Sequence, residues 1–309
     1  MKPAYAAPLR AADSWHATRR GDSLVITAVK RITADDPYLG AHFPCRPVYP
    51  GVFLLETVRQ VVLAALADDR PAVFPDVSAV RSLRFRHPLV PGDVLRAGIR
   101  VSGPDDDGAW LVRSSCRRAD GTPVAQLTLE LGPAPTGQAA DGRPGRLAAD
   151  HVQAQIDGAR IRSILPHGQE MVLVDRAELV ESGRRLRAFK TISTSEPCYQ
   201  RLDTHYLAYP ISLIIESFGQ AAAVLWLLDA GQLGESTLMF AAARDCRFEG
   251  QAYPGDVLRH EVTLERSIAG TGFATGEIWA ADHRIATMGS LIAVVRDALP
   301  TAREQEAPR

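Results

Sequence analysis

Three side chains of this sequence have the chemistry to move protons in a catalytic site: His42, Glu56 and Glu216. The two glutamates each lie within a long apolar segment. A neutral imidazole is a suitable base near neutral pH. Burial in apolar surroundings raises the pKa of a carboxyl group, so a buried glutamate can stay protonated and act as an acid. A histidine and a buried glutamate are therefore candidates for a general base and a general acid, and such a pair requires neither a metal nor a cofactor.

The two glutamates occupy equivalent positions of an internal repeat. Eight residues recur without a gap at a constant offset of 160 residues. The first set is Ala28, Lys30, Ile32, Pro37, Tyr49, Pro50, Glu56 and Gln60, and the second is Ala188, Lys190, Ile192, Pro197, Tyr209, Pro210, Glu216 and Gln220. Further along, Arg84-Phe85 and Pro91-Gly92-Asp93-Val94-Leu95 recur after 163 residues. The order of elements is the same twice, which predicts two domains of similar fold.

Chain length and one segment rich in glycine and proline set the predicted domain boundaries. At roughly 100 to 200 residues per domain, a chain of 309 residues corresponds to about two domains. The segment that begins Gly132-Pro133-Ala134-Pro135 has no apolar periodicity, which is typical of a linker. We predict an N-terminal domain over residues 1–133, a linker over 134–154, a C-terminal domain over 155–300 and a disordered tail over 301–309.

Each copy of the repeat has strand-like sequence, then one long apolar helix, then several strands. The first copy predicts a helix at 51–66 and strands at 24–30, 77–85, 94–101, 110–117 and 124–131. The second predicts a helix at 211–228 and strands at 186–192, 238–247, 257–267, 272–281 and 284–295. One helix that is apolar nearly all round, among many strands, implies a sheet wrapped around that helix. The predicted fold class is α+β, a tandem double hotdog with an antiparallel sheet around a long central helix in each half.

Composition and charge exclude several functional classes. Lys and Arg number 35 and Asp and Glu number 36, so no overall basic field is available to hold nucleic acid or an anionic membrane. The segment 211–228 has the length of a membrane span, but Glu216 and Gln220 lie in its middle, and a charge there is costly in hydrocarbon. The four cysteines include no Cys-x-x-Cys pair, and residues 1–12 lack the apolar core of a secretory signal. We expect a cytoplasmic protein with no zinc site and no disulfide framework.

Motifs in both copies resemble one enzyme family. Residues 42–52 read His-Phe-Pro-Cys-Arg-Pro-Val-Tyr-Pro-Gly-Val, and the glutamate and glutamine of the repeat follow. The second copy opens with Leu165-Pro166-His167 and Val-Leu-Val-Asp-Arg at 172–176, and Glu196-Pro197 follows. This combination resembles the hotdog 3-hydroxyacyl-carrier-protein dehydratases, the FabZ/FabA-like family. Cys45 replaces the glycine usual after His-Phe-Pro, which we expect to affect substrate preference more than catalysis.

The resemblance implies dehydration of a 3-hydroxyacyl thioester to a trans-2-enoyl thioester, in polyketide or specialised fatty-acid biosynthesis. No cofactor is implied, because the substrate is carried on the phosphopantetheine of an acyl carrier protein. That carrier is the expected partner, and neither nucleic acid nor a membrane is expected. In the family, two hotdogs pair so that the histidine comes from one and the acid from the other. A tandem chain would supply this pair internally as a pseudo-dimer, with further homo-oligomerisation left open.

We therefore expect one working site per chain, with His42 as the base, Glu216 as the acid and no metal. The residues expected to bind substrate are Tyr49, Gly51, Val52 and Gln220. Backbone N–H groups at the start of the first helix are expected to stabilise the thioester oxygen. Four arginines are either solvated strand ends or a binding site for the carrier protein: Arg84, Arg86, Arg244 and Arg247.

The other pseudo-site is expected to be inactive. At the offset of 160 residues, Leu202 stands opposite His42 and Ile211 opposite Gly51, so the second copy lacks both the base and the glycine. His205 could replace the missing base only with a shorter spacing to the proline, and Glu56 would be a relic or a pocket-stabilising group. Two other functions stay open: a hotdog thioesterase whose carboxylate activates water, and a non-catalytic partner that binds an acyl carrier protein.

Overall fold

A computed structural model describes residues 5–69, 75–133, 151–200, 207–230 and 236–296. Its strands are β1 (Ser14–Arg20), β2 (Ser23–Arg31), β3 (Pro75–Phe85), β4 (Val94–Ser102), β5 (Trp110–Arg118), β6 (Pro123–Pro133), β7 (Ala154–Ile156), β8 (Arg176–Glu181), β9 (Arg185–Thr191), β10 (Thr237–Phe248), β11 (Val257–Ile268), β12 (Thr271–Ala280) and β13 (His283–Arg296). The helices are α1 (Phe53–Asp69), α2 (Gly158–Ile164) and α3 (Ile211–Ala230).

The described strands form one continuous antiparallel sheet. Its order is β1-β2-β4-β5-β6-β3-β10-β13-β12-β11-β9-β8-β7. The two copies of the repeat meet where β3 pairs with β10, with Leu83 opposite Ala243 and Val80 opposite Cys246. On either side of this junction the equivalent strands follow in mirrored order. The chain is thus a pair of half-sheets joined edge to edge, with β7 as an additional strand at one outer edge.

The helices α1 and α3 are apolar nearly all round because the curved sheet encloses them. Most of α1 is buried, including Phe53, Leu55 and Val58, and the two helices contact each other. Residues 211–228 of α3 have the length and apolar composition of a membrane span, and 83% of that window is buried inside the protein. The acidic and amide groups in its middle face the protein interior, as predicted for a buried core helix.

The predicted elements agree with the structure within a few residues, and the differences have local causes. The first helix begins at Phe53 rather than at residue 51, because Pro50 and Gly51 form a turn whose carbonyl groups accept the first helical N–H groups. The strands β1 and β8, the short β7 and the short α2 were not predicted. β1 is an exposed edge strand and therefore lacks the alternation of apolar and polar residues that marks a half-buried strand.

The predicted linker and tail lie largely outside the described residues. Residues 134–150 and 301–309 are among those that the structure does not describe. β7 starts at Ala154, which is the last residue of the predicted linker, and pairs with β8. The domain boundaries otherwise stay a prediction.

Candidate active site

A mostly apolar cavity lies between the two halves of the chain, close to the β3–β10 junction. Its lining includes five of the residues expected at the site, together with His167: His42, Tyr49, Gly51, Glu216 and Gln220. The apolar part of the lining comes from both halves and consists of Phe43, Val48, Leu54, Phe85, Pro88, Leu89, Val124, Ala223, Leu238, Met239, Phe240, Leu291 and Ala293. Polar groups thus converge at one part of an otherwise apolar cavity, as in most sites for small molecules.

His42 is held in the loop before α1 with one ring nitrogen already bonded. Its Nδ1 lies 2.8 Å from the carbonyl oxygen of Val48 and therefore donates to it. This hydrogen bond leaves Nε2 as the atom with a free lone pair. The pKa of His42 is lowered to about 4, mainly by burial and in addition by the neighbouring His167. The imidazole is therefore neutral near neutral pH, as a general base must be.

Glu216 projects from α3 into the same cavity and is buried. Gln220, one turn further along α3, donates from Nε2 to Oε1 of Glu216 at 3.1 Å. Nε2 of His167 lies 3.5 Å from the same oxygen. Burial acts to raise the pKa of Glu216, but the hydrogen bond from His167 and the electrostatic interaction with both histidines outweigh it, and the pKa is lowered. The expectation that burial alone keeps this carboxyl protonated is therefore wrong, because it ignored the adjacent imidazole.

Gln220 holds in place both the carboxylate of Glu216 and the loop that carries His167. Its Oε1 accepts from the backbone N–H of Leu173 at 2.8 Å, and its Nε2 donates to the carbonyl oxygen of Met171 at 2.7 Å. All polar atoms of this buried amide are thus used. Gln220 holds other groups in place and has no free polar atom for a substrate, which differs from its predicted role in substrate binding.

The turn before α1 provides free backbone donors. The N–H groups of Gly51 and Val52 donate no hydrogen bond to any residue that the structure describes. The side chain of Val52 is buried and does not line the cavity, so only its backbone can serve the site. A Cβ atom on Gly51 would lie 2.9 Å from the ring of Phe85. The packing of Phe85 therefore requires glycine at this position.

His167 is the site residue that the sequence analysis missed. It belongs to the loop between α2 and β8, and its ring lies 5.3 Å from that of His42, centroid to centroid. One ring nitrogen of His42, one ring nitrogen of His167 and one carboxylate oxygen of Glu216 all lie within 4.8 Å of one another. Its only sequence signal is the Leu-Pro-His motif of the second copy, which supported the family resemblance without indicating a role.

Comparison with known proteins gives the family. A model of the FabA-like domain matches residues 12–127 and 165–289, which is most of the chain. The chain belongs to the FabA-like family. The 3-hydroxyacyl-acyl-carrier-protein dehydratase FabZ of Xylella fastidiosa (strain M12) is 34% identical over 152 residues, which are 48% of this chain and 95% of that protein. FabZ of Bacillus subtilis (strain 168) is 33% identical over 121 residues, which are 39% of this chain and 85% of that protein.

Solved structures with the same fold match most of the chain. The dehydratase domain of a mycocerosic acid synthase-like polyketide synthase has a TM-score of 0.65 at 15% identity, covering 95% of this chain and 99% of that domain. The dehydratase domain from the CurJ module of curacin polyketide synthase has a TM-score of 0.61 at 12% identity, covering 94% and 97%. At such identities the likeness shows the fold alone. It confirms the predicted tandem double hotdog of this FabA-like chain.

The second pseudo-site of this FabA-like chain contains an acid that is fully paired. Glu56 is completely buried, and its carboxylate accepts from Ser212 Oγ at 2.9 Å, from Gln60 Nε2 at 3.2 Å and from Arg59 Nη1 at 3.3 Å. Arg59 also binds both carboxylate oxygens of Asp76 at 2.7 Å. Glu56 is thus part of a closed ionic network, which agrees with the pocket-stabilising role considered for it. Leu202 and His205, on which the predicted loss of the base rests, lie outside the described residues.

The four arginines do not form one cluster. Arg86 is exposed and lies between Phe85 and His87, which both line the cavity, and the exposed His87 marks its open end. Arg84 is exposed on the solvent side of β3. On β10, Arg244 and Arg247 follow the cavity-lining Phe240 by four and seven residues, which is roughly 13 and 23 Å along a strand. Only Arg86 is therefore beside the cavity entrance, and Arg247 is remote from it.

Proposed function

We propose that this chain removes water from a 3-hydroxyacyl thioester to give a trans-2-enoyl thioester. The single observation that carries the proposal is the convergence of a neutral histidine from one half and a carboxyl group from the other on one apolar cavity. The relatives of this FabA-like chain include dehydratases named for 3-hydroxyacyl-acyl-carrier-protein substrates. An apolar cavity with two proton-transfer groups at one side suits an acyl chain whose reactive carbons lie beside those groups.

The chemistry follows from the free atoms of the site. His42 Nε2 takes the proton from C2 of the substrate, and the electron pair of that C–H bond forms the C2–C3 double bond. The C3–O bond breaks, and the hydroxyl leaves as water with a proton delivered through Glu216, whose lowered pKa requires that a neighbouring group supply that proton. Negative charge that develops on the thioester oxygen is stabilised by the free N–H groups of Gly51 and Val52 at the positive end of α1. Each step uses side-chain or backbone groups of the chain itself, so no metal or cofactor is required.

The substrate is carried by the phosphopantetheine of an acyl carrier protein, in polyketide or specialised fatty-acid biosynthesis. Arg86 at the open end of the cavity is positioned to meet the phosphate of that arm or an acidic carrier surface. The other three arginines lie further from the entrance and are left as solvated strand residues.

The test is turnover of carrier-bound 3-hydroxyacyl groups of several lengths, followed by mass spectrometry as loss of one water. His42→Ala and Glu216→Gln are expected to lower kcat by about 10²- to 10⁴-fold, the usual contribution of a positioned acid or base. Glu56→Gln is the matched control, because it makes the same change at the equivalent position of the paired pseudo-site. Activity that survives in His42→Ala would overturn the proposal, and release of the free thiol by wild-type protein would indicate a thioesterase instead.

A further inference from the structure

We infer that His167 is a proton relay that joins the base and the acid of this site. The inference rests on the proposed dehydration and deepens it, because it names the residue that supplies the proton Glu216 delivers. His167 acts through Glu216 and need not touch the substrate, so it is a positioning residue for the proton.

The first support is its place between the two reacting groups. Nε2 of His167 lies 3.5 Å from Oε1 of Glu216, and its ring lies 5.3 Å from the ring of His42. The side chain is buried, and Phe43 packs against it with ring centroids 5.0 Å apart. The titratable groups that face it are His42 from the loop before α1 and Glu216 from α3. Two other titratable residues line the cavity: Tyr49, which is buried, and His87, which lies at the exposed end.

The second support is an unpaired polar atom. Nδ1 of His167 is buried and has no hydrogen-bond partner among the described residues. Leaving such an atom unpaired costs free energy, and at the edge of this cavity it keeps Nδ1 available to accept a proton. One nitrogen directed at the carboxylate and one left free is the arrangement needed to receive a proton on one side and pass it on at the other.

The third support is the way in which the two histidine loops are fixed together. The N–H of Gly168 donates to the carbonyl oxygen of Ala41 at 2.8 Å, which ties the loop after His167 to the loop before His42. A Cβ atom on Gly168 would lie 3.0 Å from Cα of Ala41, so only glycine permits this approach without displacement. The relay geometry is therefore built into the contact between the two halves.

The proton count of the reaction closes when His167 shares the proton that Glu216 delivers. Before reaction His42 is neutral and one proton is shared by the His167–Glu216 pair. During the reaction His42 takes the C2 proton, and the pair gives its proton to the departing hydroxyl through Glu216. His42 then holds the extra proton, and its transfer to His167 restores the starting state. Dehydration releases no net proton, so the site resets internally.

The experiment compares His167→Gln, which keeps a hydrogen-bond donor but cannot carry a proton, with wild type and with His16→Gln, an exposed histidine on β1. We expect kcat of His167→Gln to fall about a hundredfold, at the lower end of the range for a positioned acid or base, while KM stays close to that of wild type. The kcat of His167→Ala should rise with added imidazole, which restores the missing ring. Unchanged kcat in His167→Gln, or a loss in KM alone, would overturn the relay.

A second readout does not depend on turnover. The ionisation of Glu216, followed by 13C NMR of its carboxyl carbon, should move to higher pH in His167→Phe, because the hydrogen bond that lowers its pKa is removed. An unmoved titration would overturn the coupling between the two residues. If wild-type protein dehydrates none of the substrates while this titration does shift, the proposed function fails and the pairing of His167 with Glu216 stands; if wild type is active and His167→Gln is equally active, the relay alone fails.

Discussion

The surroundings of Glu216 on α3 and of Glu56 on α1 have the same hydrogen-bond framework but differ in the side chains that occupy the space beside each glutamate. In the half that contains α3, the side chain of Gln220 makes hydrogen bonds to two backbone groups of one turn, and Ser217 Oγ donates to a carbonyl oxygen of the same turn. In the other half, Gln60 and Thr57 make the equivalent bonds to the segment near the start of the chain. The backbone partners are Met171 and Leu173 in the first case and Leu9 and Ala11 in the second. The same three-bond frame therefore positions both glutamates.

The space beside Glu216 is an open cavity, whereas the space beside Glu56 is occupied by a buried side chain. Gly219 of α3 lines the open cavity, whereas its equivalent in α1 is Arg59, whose buried side chain binds Glu56 and Asp76. Counting back along the equivalent segments, His167 corresponds to Tyr5, whose hydroxyl donates to a backbone carbonyl. One half thus leaves space and an unpaired nitrogen, and the other half satisfies its polar groups. Under the proposed function, catalysis depends on the space beside Gly219 and on the unpaired nitrogen of His167.

The largest expected effect is the loss of stability when the ionic network around Glu56 is broken. Arg59→Met removes the cation that pairs two buried carboxylates, and leaving a buried charge unpaired costs about 3–5 kcal/mol of the free energy of unfolding. Urea or guanidinium denaturation of the variant measures this loss. Arg84→Met, at an exposed position, is the control and should change stability by less than about 0.5 kcal/mol. A loss below about 1 kcal/mol in Arg59→Met would mean that this network is no more than a weak surface-like pair.

The next effect comes from partly filling the open half. A side chain on Gly219 has room to start, since a Cβ atom would lie 3.7 Å from Leu291. Gly219→Leu is expected to shrink the cavity and to lower kcat/KM for a long acyl chain about 10- to 200-fold relative to a short one, the usual effect of misfit in an apolar pocket. Gly219→Ala should show a smaller bias of the same sign. Equal losses for short and long chains would show that Gly219 does not face the acyl chain.

The smallest effect concerns acid stability and again separates the halves. His260 on β11 is fully buried behind α3 beside Ser217, while its equivalent on β4 is Ala97. Burial lowers the pKa of His260 from 6.5 to about 3. Between those values the unfolded chain binds a proton that the folded chain does not, so the stabilisation from neutral His260 is lost as pH falls below 6.5.

From pH 7 to pH 5 this residue alone should lower the free energy of unfolding by about 2 kcal/mol, which denaturation at the two pH values measures. His260→Gln is expected to lose about that much of the pH dependence, whatever its stability at pH 7. His42 contributes equally to both proteins and cancels from the comparison. The same pH dependence in both proteins would show that His260 takes up its proton without unfolding.

Much of this architecture follows from sequence because the repeat constrains it twice. The strands after each helix have clear alternation, and the apolar helices 51–66 and 211–228 can only be buried, so a wrapped sheet was the expected result. These features depend on local patterns that both copies show. The pairing of His42 with Glu216 was expected only from the family resemblance, because the repeat does not indicate how its two copies meet.

Other parts of the site depend on contacts that no local pattern encodes. His167 is a single loop histidine, and its place beside Glu216 arises only when Gly168 meets Ala41 across the two halves. The lowered pKa of Glu216 has the same origin, since it is set by neighbours distant in sequence. Arg59 looks like a solvated helix residue in the sequence, yet it is buried because Asp76 and Glu56 lie against it.

The junction of β3 with β10 within one chain has an evolutionary consequence. In a pair of identical chains related by a two-fold axis, every substitution appears at both sites. An arginine at the position of Gly219 would then close both cavities at once. Covalent fusion removes that constraint. One copy could then gain Arg59 and its buried ionic network while the other copy kept its open cavity. Such a chain can trade one of two active sites for a firmer scaffold, a division of labour that a symmetric dimer cannot reach by point mutation.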